Sequence, residues 1–282
     1  MKNFTKKDWL LLFLSAGLAL FGILYNQYVI ADDPMFHPKE LTDNEIKILG
    51  NDQNAVMVYP IFTQYAYSEK GFYDFYKGKC GSSCLIIYFK NGAIPPGFNM
   101  GKNGYDYLDK LGYDLVTDID IDQNPKILEK YDKIILLHNE YMTQKEFDAI
   151  KNHKNVVYLY PNAMYAKVFV DYDKNTMTLI RGHGFPEKTI DNGFDYVTSS
   201  QYEYDTKCKN YQWKANPNGI QPTCYPEYLL TYDHSIFQVI KDFPKKLPSL
   251  VTDTNLRIKY CYDNGTCGDP PNGKWNHVPI NP

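Results

Sequence analysis

The sequence predicts an α/β domain with a doubly wound, mainly parallel sheet, followed by an irregular extension. Short, continuously apolar runs recur along residues 54–160, and such runs are typical of parallel strands buried on both faces. They alternate with short segments of helical pattern, which favours a sheet with helices on its faces. In outline this arrangement is flavodoxin-like. The hydrophobic content of 44% supports a substantial core and argues against disorder.

The individual elements follow from these runs. Strands are expected at 54–60, 85–89, 114–118, 133–138 and 156–160. Helices are expected at 105–111, at 125–130 with a proline in the first turn, and from a Thr-Gln-Lys-Glu capping box at Thr143 to about residue 153. A hairpin follows, with strands at 167–173 and 176–180. Residues 53–184 therefore make up the predicted α/β domain.

The composition changes from about residue 185, where tyrosine, proline, asparagine and cysteine become frequent. One helix is expected in this region, at 233–242. We interpret residues 185–282 as a disulfide-stapled extension packed on the α/β domain. Residues 32–52 are expected to form a connector that precedes the domain.

The first 31 residues have the features of an export segment. Three lysines precede an almost wholly apolar run from Trp9 to Tyr25, and lysines stay on the cytoplasmic side of a membrane. Two outcomes are open. Residues 9–30 are long enough to span the membrane as a single-pass signal anchor, with the N-terminus inside and the domain outside. Alternatively, cleavage of a signal peptide after Ala31 releases a secreted protein. The lysine cluster disfavours a third alternative, a buried core helix.

The chain contains six cysteines, and an even number in an exported protein predicts disulfides. Their short spacings favour three local pairs: Cys80 with Cys84, Cys208 with Cys224, and Cys261 with Cys267. Metal binding is the alternative for the first pair, but no second pair or histidine follows at zinc-finger spacing. Asn264 begins an Asn-Gly-Thr sequon and is a candidate glycosylation site.

Charge and motifs argue against two classes of partner. The net charge is −3 and there is no basic stripe, so nucleic acid is not an expected partner. The chain has neither a Gly-x-Gly-x-x-Gly nor a Walker A motif, so we expect no nucleotide cofactor. Gly-x-Ser-x-Gly and His-Glu-x-x-His motifs are also missing. The 26 tyrosines are compatible with an exposed aromatic surface as well as with ordinary packing.

Polar residues follow three of the predicted strands, at the edge where open α/β sheets bind ligands. Tyr67 follows the first strand, His138 and Glu140 follow the strand at 133–138, and Asn162 follows the strand at 156–160. His138 and Glu140 are two residues apart, so extended backbone would place both side chains on one side. Imidazole and carboxylate at this spacing can hold a metal or pair a base with its orienting group.

Asn162 has a possible catalytic role, and all of these polar residues also have a purely structural interpretation. Asn162 is placed to donate a hydrogen bond to a developing oxyanion. Alternatively, all of these residues are turn formers and caps without a catalytic role. His183 lies between two glycines in the compact loop at 181–186. Two interpretations are open: the loop reaches the edge where the strands end, or His183 is exposed and mobile, which is the interpretation we favour.

Three short stretches resemble the C-terminal domain of the large (beta) subunit of N,N-dimethylformamidase: Ala66-Tyr67, His138-Asn-Glu140-Tyr141 and Asn162. Their order and their positions after strands agree with that family. The resemblance covers about residues 55–170 and implies a class I glutamine-amidotransferase-like fold. The chain also resembles uncharacterised exported proteins of ammonia-oxidising archaea, which implies a location in the archaeal envelope.

The resemblance to the amidase family also implies a chemistry, the hydrolysis of a small amide at a mononuclear iron. In that family two tyrosines and a glutamate hold the metal. Tyr67 and Glu140 would then be metal ligands, with His138 and Asn162 in catalytic roles. Candidates for the second tyrosine are Tyr59 and Tyr65, and candidates for a further catalytic glutamate are Glu187 and Glu203.

Two functions from different classes therefore remain open. The first is an extracytoplasmic, membrane-anchored amide hydrolase with its site at the strand ends. The second is a non-catalytic envelope protein that binds a glycan, a peptide or a partner protein through an aromatic surface. The hydrolase requires His138, Glu140, Asn162 and a tyrosine to lie together in one pocket, whereas the binding protein does not.

Overall fold

The structure is a computed structural model that describes residues 38–89, 101–190, 192–195 and 207–250, and the backbone of two short strands near the C-terminus. Contacts divide the chain into two units, Met1–Glu40 and Leu41–Pro282, and all the helices and strands described below belong to the second. The predicted export segment and Asn264 lie outside the described residues. None of the helices in the described part is long and apolar enough to cross a membrane.

Twelve strands and seven α-helices are present in the described residues. The strands are β1 (Ala55–Tyr59), β2 (Ile86–Tyr88), β3 (Asp114–Thr117), β4 (Lys133–Leu136), β5 (Tyr141–Met142), β6 (Val156–Tyr158), β7 (Ala166–Asp171), β8 (Thr176–Arg181), β9 (Trp213–Asn216), β10 (Gly219–Pro222), β11 (Tyr260–Cys261) and β12 (Cys267–Gly268). The α-helices are α1 (Asp43–Leu49), α2 (Ile61–Ala66), α3 (Phe72–Tyr76), α4 (Lys102–Lys110), α5 (Asp118–Gln123), α6 (Gln144–Lys151) and α7 (Ser235–Asp242). Three 3-10 turns complete the set, at Ser82–Cys84, Pro125–Lys130 and Leu229–Thr231.

The central sheet has six strands in the order β3-β1-β4-β6-β10-β9. All neighbouring strands are parallel except β9, which pairs antiparallel with β10 at one edge. Counted along the chain, the five parallel strands run 2-1-3-4-5, the order typical of flavodoxin-like sheets. A mixed α/β fold with a mostly parallel sheet is therefore confirmed.

Both faces of the central sheet are covered because its strands alternate between two cores. On one face Met57, Ile135 and Val157 pack with Leu108 of α4 and Phe237 of α7. On the other face, alternate residues of the same strands pack with α5, α6 and the 3-10 turn between them. Side chains of a strand point to opposite faces in turn, so a continuously apolar strand supplies both cores.

A second sheet of four strands has the order β2-β8-β7-β5. The expected hairpin is present as β7 and β8, which pair antiparallel. β2, which corresponds to the run at 85–89, pairs antiparallel with β8 and does not belong to the central sheet. Its burial alternates, with Ile87 buried between exposed Ile86 and Tyr88, as a strand with one solvated face requires.

Several boundaries differ from the sequence-based expectation. Residues 43–49 of the expected connector form α1, whose first turn is closed by a capping box between Thr42 and Glu45. Pro125–Lys130 is a 3-10 helix and not an α-helix. The extension contributes β9 and β10 to the central sheet and is therefore continuous with it. The proposed division at residue 185 stays a prediction.

Two of the three expected disulfides are present, Cys80–Cys84 and Cys208–Cys224. Cys261 and Cys267 face each other in the register of β11 and β12, but their side chains lie outside the described part. The pairing of these two cysteines therefore stays a prediction.

Lys133 is fully buried at the start of β4 and holds the end of α7 against the sheet. Its ammonium donates hydrogen bonds to the carbonyl oxygens of Ile240 (2.6 Å), Lys241 (3.2 Å) and Phe243 (2.8 Å). These carbonyls have no partner further along the helix, and a cation at a helix C-terminus is favoured by the helix dipole. Burial lowers the pKa of Lys133 to about 8, so the group stays mostly charged at neutral pH.

Replacing Lys133 by methionine should destabilise the protein, because it leaves buried carbonyl groups without a donor. We expect Lys133→Met to lower the free energy of unfolding by about 1–3 kcal/mol, measured by urea denaturation at pH 7. Lys246→Met is the matched control, because Lys246 is exposed. Equal stabilities of the two variants would contradict this role for Lys133.

Candidate functional site

The candidate site lies beyond the carboxyl ends of β1 and β4, the two strands between which the chain order of the sheet reverses. Ligands of open α/β proteins bind at such a switch point. The loop after β4 carries His138, Asn139 and Glu140, all of them buried. The segment after β1 is α2, whose Thr63 hydroxyl accepts hydrogen bonds from the backbone of Glu140 (2.9 Å) and Tyr141 (3.0 Å). Thr63 therefore fixes the loop after β4 against α2.

The carboxylate of Glu140 is the centre of the site. Tyr67, at the end of α2, donates a hydrogen bond of 2.7 Å from its hydroxyl to Oε2 of Glu140. The Nε2 atom of His138 approaches the same oxygen at 3.2 Å, within ion-pair distance. This approach does not have hydrogen-bond geometry, because neither ring nitrogen of His138 has a hydrogen-bond partner among the described residues. Three of the four residues expected from the sequence thus meet at one carboxylate.

A second histidine, His183, completes the surroundings of Glu140. Its Nε2 atom forms a short hydrogen bond with Oε1 of Glu140. The expectation that His183 is exposed is wrong: only 5% of the residue is accessible. Gly182, His183 and Gly184 have φ angles of 118°, 52° and 73°. Three consecutive positive values reverse the chain after β8 and turn the imidazole inward, and a non-glycine residue in this region is strained.

The histidines determine the charge of Glu140. Burial by itself opposes ionisation, but the charge of His183, its hydrogen bond and the close approach of His138 outweigh burial and lower the pKa of Glu140 to about 2. Burial and the neighbouring Glu140 carboxylate raise the pKa of Tyr67 well above 10, so its hydroxyl stays protonated as a donor. The centre is therefore an ionised carboxylate surrounded by hydrogen-bond donors.

Aromatic rings form the walls of the site. Tyr141 stacks on His183 with ring centroids 5.3 Å apart, and Tyr165 lies 4.5 Å from the same imidazole. Tyr76 contacts His183 edge-on at 5.0 Å and is 48% exposed, so the wall of the site at His183 borders solvent. Part of the tyrosine excess noted in the sequence is therefore used in packing around the two histidines.

The extension supplies a second carboxyl group to the neighbourhood of His138. The Tyr160 ring stacks on His138 at a centroid distance of 5.8 Å, and its hydroxyl forms a short hydrogen bond with Glu227. Burial raises the pKa of Glu227 to about 7, although hydrogen bonds from Tyr160 and the Asn103 N–H act in the opposite direction. Sequence reasoning missed Glu227, because no motif marks it and it lies outside the α/β pattern.

The other candidates from the sequence that lie in the described residues form no hydrogen bond with Glu140. Asn162 is half-buried, and no hydrogen bond connects it with His138 or Glu140 in the described part of the chain. Glu187 is exposed, and Glu203 lies outside the described residues. A shallow groove of about 430 Å³ lies elsewhere, between α6 and the preceding 3-10 turn, and Glu140 is not part of it.

Two of the three iron ligands implied by the family resemblance, Tyr67 and Glu140, are hydrogen-bonded to each other. The candidates for the third ligand pack against aromatic rings, Tyr59 against Tyr105 and Tyr65 against Phe89. No group of three or more His, Cys, Asp or Glu side chains in the described ranges is arranged to hold a metal. Iron therefore stays a prediction.

A cluster of three acidic side chains, Asp118, Asp122 and Glu146, lies beside the site, and the pKa of its glutamate is shifted in the opposite direction to that of Glu140. Asp118 accepts a hydrogen bond from the N–H of Phe62 in α2 (2.7 Å). Asp122 accepts hydrogen bonds from the hydroxyl groups of Thr143 (2.6 Å) and Tyr172 (2.8 Å). Glu146 is fully buried, and burial followed by repulsion from Asp118 and Asp122 raises its pKa well above 4.5. Two buried glutamates of neighbouring elements therefore have opposite pKa shifts.

Replacing Glu140 by glutamine should reduce stability, and the effect should depend on pH. The folded-state pKa of Glu140 is depressed, so its contribution is present above the unfolded value of about 4.5 and is lost as pH falls towards 2. We expect Glu140→Gln to lower the free energy of unfolding at pH 7 by on the order of 3 kcal/mol. Denaturant titrations from pH 2.5 to 7 measure this difference, which should shrink in acid.

Glu146→Gln is the matched control, because the pKa of Glu146 is shifted upward. A carboxyl group with a raised pKa in the folded state stabilises that state at pH values below its pKa in the unfolded chain. This stabilisation is lost as the pH rises through the folded-state pKa. Glu146→Gln should therefore leave stability at pH 7 unchanged or increase it. Equal losses of unfolding free energy at pH 7 in Glu140→Gln and Glu146→Gln would contradict the assignment of opposite pKa shifts to the two carboxyl groups.

No protein-family model matches this chain, and a search of curated proteins finds no match. The resemblance of the short motifs around Tyr67 and Glu140 is therefore the basis on which a family is proposed.

Proposed function

We propose that this protein is a hydrolase of small amides whose active site is centred on Glu140. The observation that carries the proposal is the contact of one buried, ionised carboxylate with Tyr67, His138 and His183 at the switch point of the sheet. Groups of perturbed pKa that converge at such an edge are typical of catalytic sites. The class of substrate comes from the resemblance to the amidase family.

The geometry suits general base catalysis by a histidine. The Nε2 atom of His138 lies 3.2 Å from Oε2 of Glu140, and its Nδ1 atom has no hydrogen-bond partner within the described chain. Nδ1 is therefore the atom proposed to take the proton. In the proposed reaction a water oxygen bonds to the amide carbon as its proton passes to His138. The C–N bond then breaks, and the same proton is delivered to the departing nitrogen. The carboxylate of Glu140 stabilises the imidazolium formed between these steps.

Two further residues have proposed roles in this reaction. Asn162 is assigned to the developing oxyanion, as the motif order implies. Glu227, with a pKa of about 7, differs in charge from Glu140 at neutral pH, and such a separation is typical of paired acid and base groups. A substrate would enter past Tyr76, which is half exposed and contacts His183.

The proposal extends to fold family, metal and location. The 2-1-3-4-5 strand order supports a class I glutamine-amidotransferase-like fold. If iron is bound, Tyr67 and Glu140 are the residues that would hold it, and it would supply Lewis-acid activation of water. The two disulfides support a location outside the cytoplasm, since disulfides persist in oxidising compartments. Residues 9–30 would then anchor the protein in the cell membrane, unless cleavage after Ala31 releases it.

A second candidate function is supported by the outer face of the four-stranded sheet. Tyr88 is 79% exposed and Phe169 is 59% exposed, and Ile86 and Ile180 on the same face are also exposed. Exposed apolar groups on neighbouring strands are typical of surfaces that bind a partner. This face would serve a non-catalytic envelope protein that binds a glycan, a peptide or another protein.

An amide hydrolysis assay tests the proposed activity. The full chain is incubated with formamide, acetamide and N-methylformamide, and the release of ammonia or amine is measured at pH 7. We expect His138→Gln to lower kcat by about 10²- to 10⁴-fold, because the general base is lost. Glu140→Gln should have a similar effect, and Glu146→Gln should keep the activity of the parent. Metal analysis of the same samples tests for iron.

Two results would contradict the proposal. The first is the absence of turnover of all three amides by the folded protein, including after reconstitution with iron. The second is turnover that His138→Gln and Glu140→Gln leave unchanged. Either result would favour a binding function for the outer face.

A further inference from the structure

Asn139 is a buried polar residue that the proposed reaction does not use. It lies between His138 and Glu140, and none of its surface is accessible. Neither Oδ1 nor Nδ2 of its side chain has a hydrogen-bond partner in the described part of the protein. It therefore combines complete burial with an unpaired donor and an unpaired acceptor.

The position of Asn139 places it beside the proposed active site. Its backbone carbonyl accepts a hydrogen bond of 2.8 Å from the N–H of Met164, in the turn that also contains Asn162. Met164 has a positive φ of 63°, so this turn holds a strained conformation next to the loop after β4. Asn139 thus joins the carboxyl ends of β4 and β6, the two neighbouring strands from which His138 and Asn162 come.

An unpaired carboxamide at this position is costly to the folded protein. Each buried donor or acceptor without a partner loses its hydrogen bonds to water and gains none in return. Leucine has nearly the same shape and would remove both unpaired groups, so folding alone gives no reason for asparagine here. A buried polar group without a partner in a native protein calls for a specific explanation. Binding of a ligand is one such explanation.

We propose that Asn139 recognises the amide group of the ligand, an inference that rests on the proposed function and names a specificity residue for it. A primary amide presents one N–H donor and one carbonyl acceptor on the same side of its plane. Oδ1 of Asn139 accepts from the ligand N–H, and Nδ2 donates to the ligand carbonyl oxygen. The two bonds form a reciprocal pair that an ester or a carboxylate cannot make. Asn139 is therefore the residue that selects primary amides at this site.

Binding of acetamide to the full chain, measured by saturation-transfer NMR, tests the proposal. Methyl acetate is the control ligand, because it has the carbonyl group but no N–H. We expect the parent to bind acetamide more tightly than methyl acetate. In Asn139→Leu the affinity for acetamide should fall by about tenfold or more, because both hydrogen bonds are lost. Asn152→Leu, at an exposed position, should bind acetamide as the parent does.

Thermal unfolding of the same variants separates recognition from a structural role. If Asn139 serves a ligand, Asn139→Leu should unfold at the same temperature as the parent or higher, because two unpaired groups are removed. Asn139→Ala, which cannot clash, should also lose affinity for acetamide. Lower unfolding temperatures in both variants with unchanged affinity for acetamide would show that Asn139 is structural, paired for example with ordered water.

The outcomes also distinguish this inference from the proposed hydrolysis. Acetamide binding that depends on Asn139, without turnover, would support the recognition role and contradict the hydrolase. Turnover with the same KM in the parent and in Asn139→Leu would overturn the recognition role and leave the hydrolase intact. Equal affinities of the parent for acetamide and methyl acetate would likewise overturn the recognition role.

Discussion

The ionised carboxylate of Glu140 is the interaction on which the site depends. A carboxylate that is 1% exposed is costly to bury unless opposite charges and hydrogen-bond donors surround it. Tyr67, His138 and His183 reach it from three separate parts of the chain, after β1, β4 and β8. Because each partner is held in place by the same carboxylate, Glu140 fixes the relative positions of the two histidines. Any chemistry at the strand ends would use this arrangement.

The fold explains why these side chains meet. Parallel strands end at the same edge of a sheet, and the reversal of strand order between β1 and β4 opens that edge to the loops. Thr63 then ties α2 to the loop after β4, and Asp118 holds the N–H of Phe62 at the start of α2. The antiparallel hairpin of β7 and β8 places His183 on the opposite side of Glu140. Both sheets therefore contribute to one site.

The predictable part of the site came from local patterns. The run at 133–138 is apolar and ends in His138, which predicts a strand with a polar residue at its carboxyl end. Glu140 follows two residues later, which predicts that its side chain lies on the same side of the backbone as that of His138. His183 was not predictable, because its inward direction depends on three consecutive positive φ values. Glu227 and Asn139 were not predictable either. Their burial depends on tertiary contacts of the extension and of the turn near Met164, which leave no periodic signal in the sequence.

Titration of the Glu140 carboxyl group tests the central claim most directly. The full chain is labelled with ¹³C at the glutamate carboxyl carbons, and their shifts are followed by NMR from pH 1.5 to 8, with Glu140→Gln to assign the signal. We expect a midpoint near 2 for Glu140. A midpoint at or above its ordinary value of 4.5 would contradict it, because the histidines would then fail to stabilise a buried charge.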